Sequence, residues 1–340
     1  MNPSPRVTPP PDSAPIGSFM SDILASVRAH APAPDVDVGC DIAPRDLPSG
    51  HVLRGYRLLH TLGAGGFGVT YLAEEALLQR RVVIKEHFPD ALCTRESGTL
   101  NVRLHDPGLR DTFRWALHNF LREVRLLASI HHPRIARIYS YFEAHGTAYY
   151  VTEYIDGPSF AEIVQRVRSR GELLPQRALL GLLVRVLDAL DYLHDRSLLH
   201  CDLKPDNILL TRQGMPVLID FGAAQEKQET SSARVVESVG FSPSEQHSGG
   251  GQMGPWTDLY ALGATLYYTL TGECLPGCRQ RELYDTVKPL AERPELREHY
   301  HPRFLASIDR AIRPAIRQRY QCVAEWMDDL RPEERLSLRA

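Results

Sequence analysis

The stretch LLHCDLKPDNILL, residues 198–210, sets Asp202, Lys204, Asp206 and Asn207 between short apolar runs. Upstream, QRALLGLLVRVLDALDYLHD (176–195) is apolar around most of its circumference, which predicts a buried central helix ending near His194. A loop then delivers His200, Asp202, Lys204 and Asn207, and ILL reads as a short strand. A second strand, VLID, ends at Asp220-Phe221-Gly222, eighteen residues after Asp202. Two carboxylates and an amide brought together supply hard oxygen ligands for divalent magnesium, and the remaining aspartate can orient a hydroxyl nucleophile. That chemistry is phosphoryl transfer.

Towards the N-terminus the pattern is of short extended runs. YRLLHTL, VTYLAEE and RRVVIKE predict antiparallel strands, the first two separated by the glycine-rich turn GAGGFG, Gly63 to Gly68. Glycines at such a turn let backbone N–H groups approach a phosphate with no side chain in the way. A glycine-rich hairpin by itself is often only a turn, and a dinucleotide-binding loop would need a helix after it. Lys85 ends the apolar run VVIK, where an ammonium can reach phosphate oxygens, and Glu123 in FLREVRLL falls mid-helix, suited to hold that ammonium. Asp106-Pro107 reads as an N-cap with proline at N1, and Leu109, Phe113, Leu117, Phe120, Leu121, Val124 and Leu127 recur at helical spacing, so one long helix is expected over 107–129. IARIYSYFEA and TAYYVTEY predict two further strands joined at His145-Gly146. Beyond Gly157 the pattern is mainly helical, with a second buried helix over WTDLYALGATLYYTLT (256–271).

Five strands with an inserted helix, followed by a helical half, predict an α+β chain of two lobes with a cleft between them. Composition narrows the function. At 340 residues and 43% hydrophobic content the chain can bury a real core, and a net charge of −3 leaves no excess of positive charge for nucleic acid. No run reaches the 18 or so apolar residues of a membrane span, and MNPSPRVTPPPDSAP lacks the apolar stretch of a signal peptide, so a cytoplasmic protein is expected. The six cysteines, 40, 93, 201, 274, 278 and 322, are scattered and read as reduced thiols, without zinc spacing at Cys274 and Cys278. Only four lysines occur in an arginine-using chain, and two of them are Lys85 and Lys204.

These motifs, in this order over about residues 55–330, resemble those of the eukaryotic-like, bacterial Ser/Thr protein kinases. The resemblance implies a bilobal kinase-like fold, with a small antiparallel-sheet lobe carrying one control helix and a mainly helical second lobe. It implies that ATP and Mg2+ serve as cofactors and that protein Ser/Thr hydroxyls are the substrates. GAGGFG is similar to the loop over ATP, placing Gly63, Gly65, Gly66, Phe67 and Gly68 beside the nucleotide with Lys85, while Glu153 to Ile155 matches the adenine hinge behind Thr152. By the same resemblance Asp202 is the catalytic base, Lys204 steadies the transferring phosphate, Asn207 and Asp220 are magnesium ligands, and Glu123 pairs with Lys85. GFSPSEQ resembles the end of an activation segment, so Glu245 is expected to pair structurally with Arg319. Asp258 matches the helix aspartate that holds the catalytic-loop backbone, and Ser238 the hydroxyl residue before the substrate-positioning loop.

The chain also departs from the family pattern. Thr70 and Val83 stand where valine and alanine are common around adenine, and the segment 86–106 is long, with IKEHFPDALCTRE similar to an IKEyFP-type variant. Cys201 stands where the family usually has arginine; HCD is thus a non-RD catalytic loop, which predicts activity without activation-loop phosphorylation. A pseudokinase scaffold is the alternative reading, although the lysine, aspartate and asparagine it would usually lack are all present; a small-molecule phosphotransferase is disfavoured by Glu245. The expected organisation is a Pro-rich, disordered segment over 1–50, in which 18–30 could bind a partner, a kinase domain over 51–330 with lobes at about 51–153 and 157–330, and a tail over 331–340.

Overall fold

The computed structural model describes residues 45–220, 225–226, 239–246 and 253–337, with side chains to Arg331. Phe221, Gly222, Ser238 and segment 18–30 therefore lie outside the described residues. The chain divides into two compact units, whose boundary in sequence falls between Ile155 and Asp156.

The N-terminal unit is a six-stranded antiparallel sheet in the order β1-β2-β3-β4-β8-β7, with β1 Val52–Leu53, β2 Tyr56–Gly65, β3 Gly68–Glu75, β4 Arg80–His87, β7 Ile138–Ala144 and β8 Thr147–Glu153. The five expected strands are all present, and β1 is an addition too short to show a periodicity. His145 and Gly146, at φ 51° and 73°, form the β7–β8 turn in the left-handed conformation that a two-residue hairpin favours. The helix expected over 107–129 starts as a single 3-10 turn, Pro107–Leu109, whose Asp106 side chain caps Gly108 N–H at 2.6 Å. It then runs as α1, Arg110–Ala128.

Strand β4 organises this unit because its pleat sends alternate residues to opposite faces. Val82, Ile84 and Glu86 enter the core with Leu58, Tyr71, Ala73, Tyr149 and Val151. Lys85 and His87 occupy the other face. The long 86–106 segment folds as a separate hairpin, β5 Cys93–Arg95 with β6 Val102–Leu104. Its Arg95 reaches into the core and donates to Glu86 Oε2 at 2.7 Å, and Tyr71 and Tyr149 each donate to the same carboxylate at 2.7 Å. Arg95 also donates to the carbonyls of Arg45 and Leu100 and lies over the Phe88 ring. The IKEHFP stretch is thus the anchor of the extra hairpin: its glutamate is buried and needs every one of these donors.

One boundary requires correction. Residues 45–50, expected in the N-terminal segment outside the domain, pack on the sheet: Leu47 is 3% exposed within the core and its N–H donates to the Tyr71 hydroxyl at 3.1 Å. A single leucine in a polar, Pro-rich run carries no periodicity, so its burial was not legible from pattern.

The C-terminal unit is mainly helical: α2 Phe160–Ser169, α3 Gln176–His194, α4 Pro255–Thr271, α5 Cys278–Leu283, α6 Pro294–Arg297, α7 Pro302–Ala311 and α8 Val323–Ser337. The last helix runs beyond residue 330, the expected domain end. Ser159 and Glu162 cap α2 reciprocally, at 2.7 and 3.1 Å. Both expected central helices are buried; α3 alone buries Leu179, Leu180, Leu182, Leu183, Val186, Leu187, Leu190 and Leu193. Two short ladders cross this unit, β9 Leu198–Leu199 with β12 Gln225–Glu226, and β10 Ile208–Leu210 with β11 Pro216–Leu218. No described helix is long and apolar enough to cross a membrane.

Candidate active site

In the C-terminal unit β9 and β10 bracket the loop 200–207, and the loop's backbone is held from below by α4. Asp258 is 1% exposed and accepts His200 N–H at 3.0 Å, Cys201 N–H at 2.9 Å and His194 Nε2 at 2.8 Å. Burial pushes its carboxyl up, but the His194 bond and the neighbouring donors outweigh that and hold it below the usual carboxylate range. Cys201 has φ 62°, a left-handed conformation costly for any side chain, and it is pinned on both sides: Gln246 Nε2 donates to its carbonyl at 2.6 Å. Its side chain is buried at 3% exposure.

With the backbone fixed, three side chains meet. Lys204 Nζ lies 3.2 and 2.9 Å from the two Asp202 carboxylate oxygens, and Asn207 Nδ2 donates to Asp202 Oδ2 at 2.8 Å and to its carbonyl at 2.7 Å. Asp202 and Lys204 keep 21% and 27% of their side-chain surface open, enough for a substrate group to reach them. His200 is fully buried, which lowers its pKa against the opposing pull of Asp258 and Asp202, and its Nδ1 accepts Asp202 N–H at 3.3 Å. Ile219 N–H donates to the Asn207 carbonyl at 3.0 Å, which extends the β10–β11 ladder by one step, and Asp220 is the next residue along the chain. Asp220 itself has φ 61°. The loop thus gathers Asp202, Lys204 and Asn207.

Glu245 and Arg319 form a fully buried pair, Nη1 to Oε1 2.7 Å, with Thr257 donating to the same oxygen at 3.1 Å and Arg319 filling the carbonyls of Arg313 and Pro314. This is the structural pair the sequence predicts. His194 and Gln246 were not singled out in the sequence; each is one polar residue at the end of an element, and only the fold reveals what it touches.

The N-terminal unit carries the other candidates. Glu123 on α1 is pushed up to about 8 by burial, and the Lys85 ammonium acts in the opposite direction. Lys85 pairs in register with Tyr150, and Glu153 ends the same strand, with Ile155 buried just beyond it. In the glycine-rich turn Gly65 pairs with Gly68, and the tip is tied to the end of β4: Phe88 N–H donates to the Phe67 carbonyl at 3.0 Å and Asp90 N–H to the Gly66 carbonyl at 3.3 Å. A Cβ on Gly68 would collide with the Glu86 carbonyl, so packing alone demands that glycine. At Gly63 and Gly65 nothing lies within 4 Å of where a Cβ would stand.

An antiparallel-sheet unit with one long helix, a helical unit, and this order of glycine turn, lysine, Asp-Lys-Asn loop and Asp220 define a protein kinase. The sequence matches the protein kinase domain over residues 56–340, and the chain belongs to that family. It is 32% identical over 292 residues to the serine/threonine-protein kinase PknA of a Nostoc species, covering 81% of this chain and 46% of that protein. It is 28% identical to serine/threonine-protein kinase PrkC of Bacillus subtilis, covering 81% and 40%. The solved structure of PpkA-294 in its apo form matches with a TM-score of 0.74 at 31% identity, over 84% of this chain and all of that one. The chain spans less than half the length of these curated relatives.

Proposed function

We propose that the chain is a Mg-ATP-dependent serine/threonine protein kinase that transfers the γ-phosphate of ATP to protein hydroxyls. The observation that carries this reading is the convergence of Lys204 and Asn207 on the Asp202 carboxylate. In the reaction the substrate oxygen forms a bond to the γ-phosphorus as the bond to the ADP oxygen breaks. Asp202 orients the substrate hydroxyl and takes its proton, and Lys204 steadies the charge that develops on the transferring group.

The donor set suits magnesium. Asn207 spends its amide N–H groups on Asp202, so its Oδ1 is the atom left to face a cation, and Asp220, which directly follows the residue bonded to the Asn207 carbonyl, would supply the second oxygen ligand. Magnesium held by Asn207 and Asp220 would neutralise phosphate charge. For the nucleotide, Lys85 is the phosphate anchor with Glu123 as its partner. Gly63 and Gly65 have no packing reason to be glycine, which fits bare backbone facing phosphates through Gly63, Gly65, Gly66, Phe67 and Gly68. Glu153 and Ile155 serve as the adenine hinge.

The domain is proposed to comprise both units, starting no later than residue 45, in a cytoplasmic, reduced setting. Activity is proposed not to need activation-loop phosphorylation: the residue before Asp202 is an inward-facing cysteine, which offers no cation to a phosphate. Incubation with γ-labelled ATP, magnesium and a generic basic substrate tests the reading. Label on serine or threonine supports it, and absence of transfer to substrate or to the chain itself overturns it.

A further inference from the structure

His87, two residues after Lys85 on the same face of β4, is 5% exposed. Its ring centroid lies 5.5 Å from that of Phe113 and 5.2 Å from that of Phe120, both on α1. Its backbone carbonyl is held by the Thr147 hydroxyl of β8, and its Nε2 is buried with no hydrogen-bond partner among the described residues. The packing therefore uses the shape of the ring rather than its hydrogen bonding.

We propose that His87 is a positioning residue: wedged between Phe113 and Phe120, its ring fixes helix α1 against β4 so that Glu123 stands opposite Lys85. This deepens the kinase reading and rests on it only for the consequence in turnover. Two residues along a strand span roughly 7 Å, and the three from Phe120 to Glu123 span about 4.5 Å of helix axis. The sheet-to-helix contact of His87 with Phe120 thus lies two residues from Lys85 on the strand and three from Glu123 on the helix. Two fixed points at that spacing define a helix orientation, whereas the attraction between Glu123 and Lys85 alone would let the helix pivot. Phe120 also packs on Tyr150 at 5.4 Å, the strand neighbour directly across from Lys85, which closes the cluster. Burial lowers the His87 imidazole to about 4, so the wedge is neutral at physiological pH, like the phenylalanine rings it touches.

The test is a cycle on the Glu123 carboxyl titration, read by 13C NMR in the full chain with Glu123→Gln as the assignment control. Lys85 is the group whose charge bears on Glu123 from the sheet, and the Glu123 charge in turn helps keep Tyr150 protonated. Lys85→Met should raise the Glu123 midpoint in the wild-type background and equally in His87→Phe, which keeps a ring in place. In His87→Ala, and in His87→Leu should the alanine variant not fold, that rise should shrink or vanish. An equal rise in all backgrounds overturns the proposal. In turnover, His87→Ala should lower kcat/KM on the order of 10–100-fold, with His87→Phe near wild type. In a Glu123→Gln background the same change should cost little more, because both act through one pair. Full additivity of the two losses would mean that His87 supports stability only. Should the wild-type chain transfer no phosphate, the kinase reading fails and the midpoint cycle alone decides the role of His87.

Discussion

Asp258 Oδ1 accepts the Cys201 amide at 2.9 Å, so the residue immediately before Asp202 is held by its backbone. The Gln246 bond to its carbonyl completes the clamp. Asp258→Ala removes the acceptor of three hydrogen bonds and leaves two buried amides unsatisfied, each costing about 1–3 kcal/mol. The expected result is a fall in thermal stability together with a loss of turnover. Asp258→Ala with wild-type melting temperature and rate would show that the loop is held otherwise. Cys201→Gly should be tolerated in turnover, because glycine adopts φ 62° without strain.

The Glu86–Arg95 pair is buried on both sides, with side chains 0% and 1% exposed. Removal of one partner leaves an uncompensated charge, so Arg95→Met should destabilise the protein by about 3–5 kcal/mol, read as the midpoint of urea unfolding. Retained stability would contradict the account of the 86–106 hairpin as anchored to Glu86.

Leu47 gives a boundary test. Leu47→Ala should cost about 2–5 kcal/mol, whereas deletion of residues 1–44 should leave the packing of Leu47 untouched. A deletion of 1–50 with full stability would show that the leucine does not belong to the core.

The carboxyl of Glu123 sets a pH dependence with a definite sign. Its ordinary value is 4.5 and burial raises it to about 8, so between those values the folded ligand-free protein holds a proton that the unfolded chain has released. This contribution to stability is complete below pH 4.5 and is lost as pH rises through about 8. Unfolding of wild type and Glu123→Gln compared at several pH values should show the wild-type advantage falling with pH. A difference that grows with pH, or stays flat, would refute the assignment.

Thr230, Ser231 and Ser232 lie outside the described residues, yet the sequence supports a test of control. The triple change Thr230→Ala, Ser231→Ala, Ser232→Ala should retain most turnover. A large drop restored by acidic replacements would mean that another cation, such as Arg234, receives a loop phosphate.

Much of this was readable from residues in order. Periodicity sufficed for α3 and α4, because a helix buried on most sides is apolar on most sides, and for the strands flanking Lys85. Motif order singles out Asp202, Lys204 and Asn207 in the sequence. Glu86, Arg95 and Leu47 were invisible for the opposite reason: a buried charge and a lone leucine look like surface residues until their partners, distant in sequence, are brought against them. The same applies to His87, whose neighbours on α1 begin more than twenty residues later.

The measurement that bears most directly on the central claim is phosphate transfer by Asp202→Asn, followed with γ-labelled ATP and magnesium beside wild type. The substitution keeps the side-chain shape and the Lys204 and Asn207 neighbours but removes the proton acceptor. A fall of about 10²–10⁴-fold in kcat with an unchanged melting temperature is the predicted result. Transfer to serine or threonine at near the wild-type rate by the variant would contradict the assignment of Asp202 as the catalytic base.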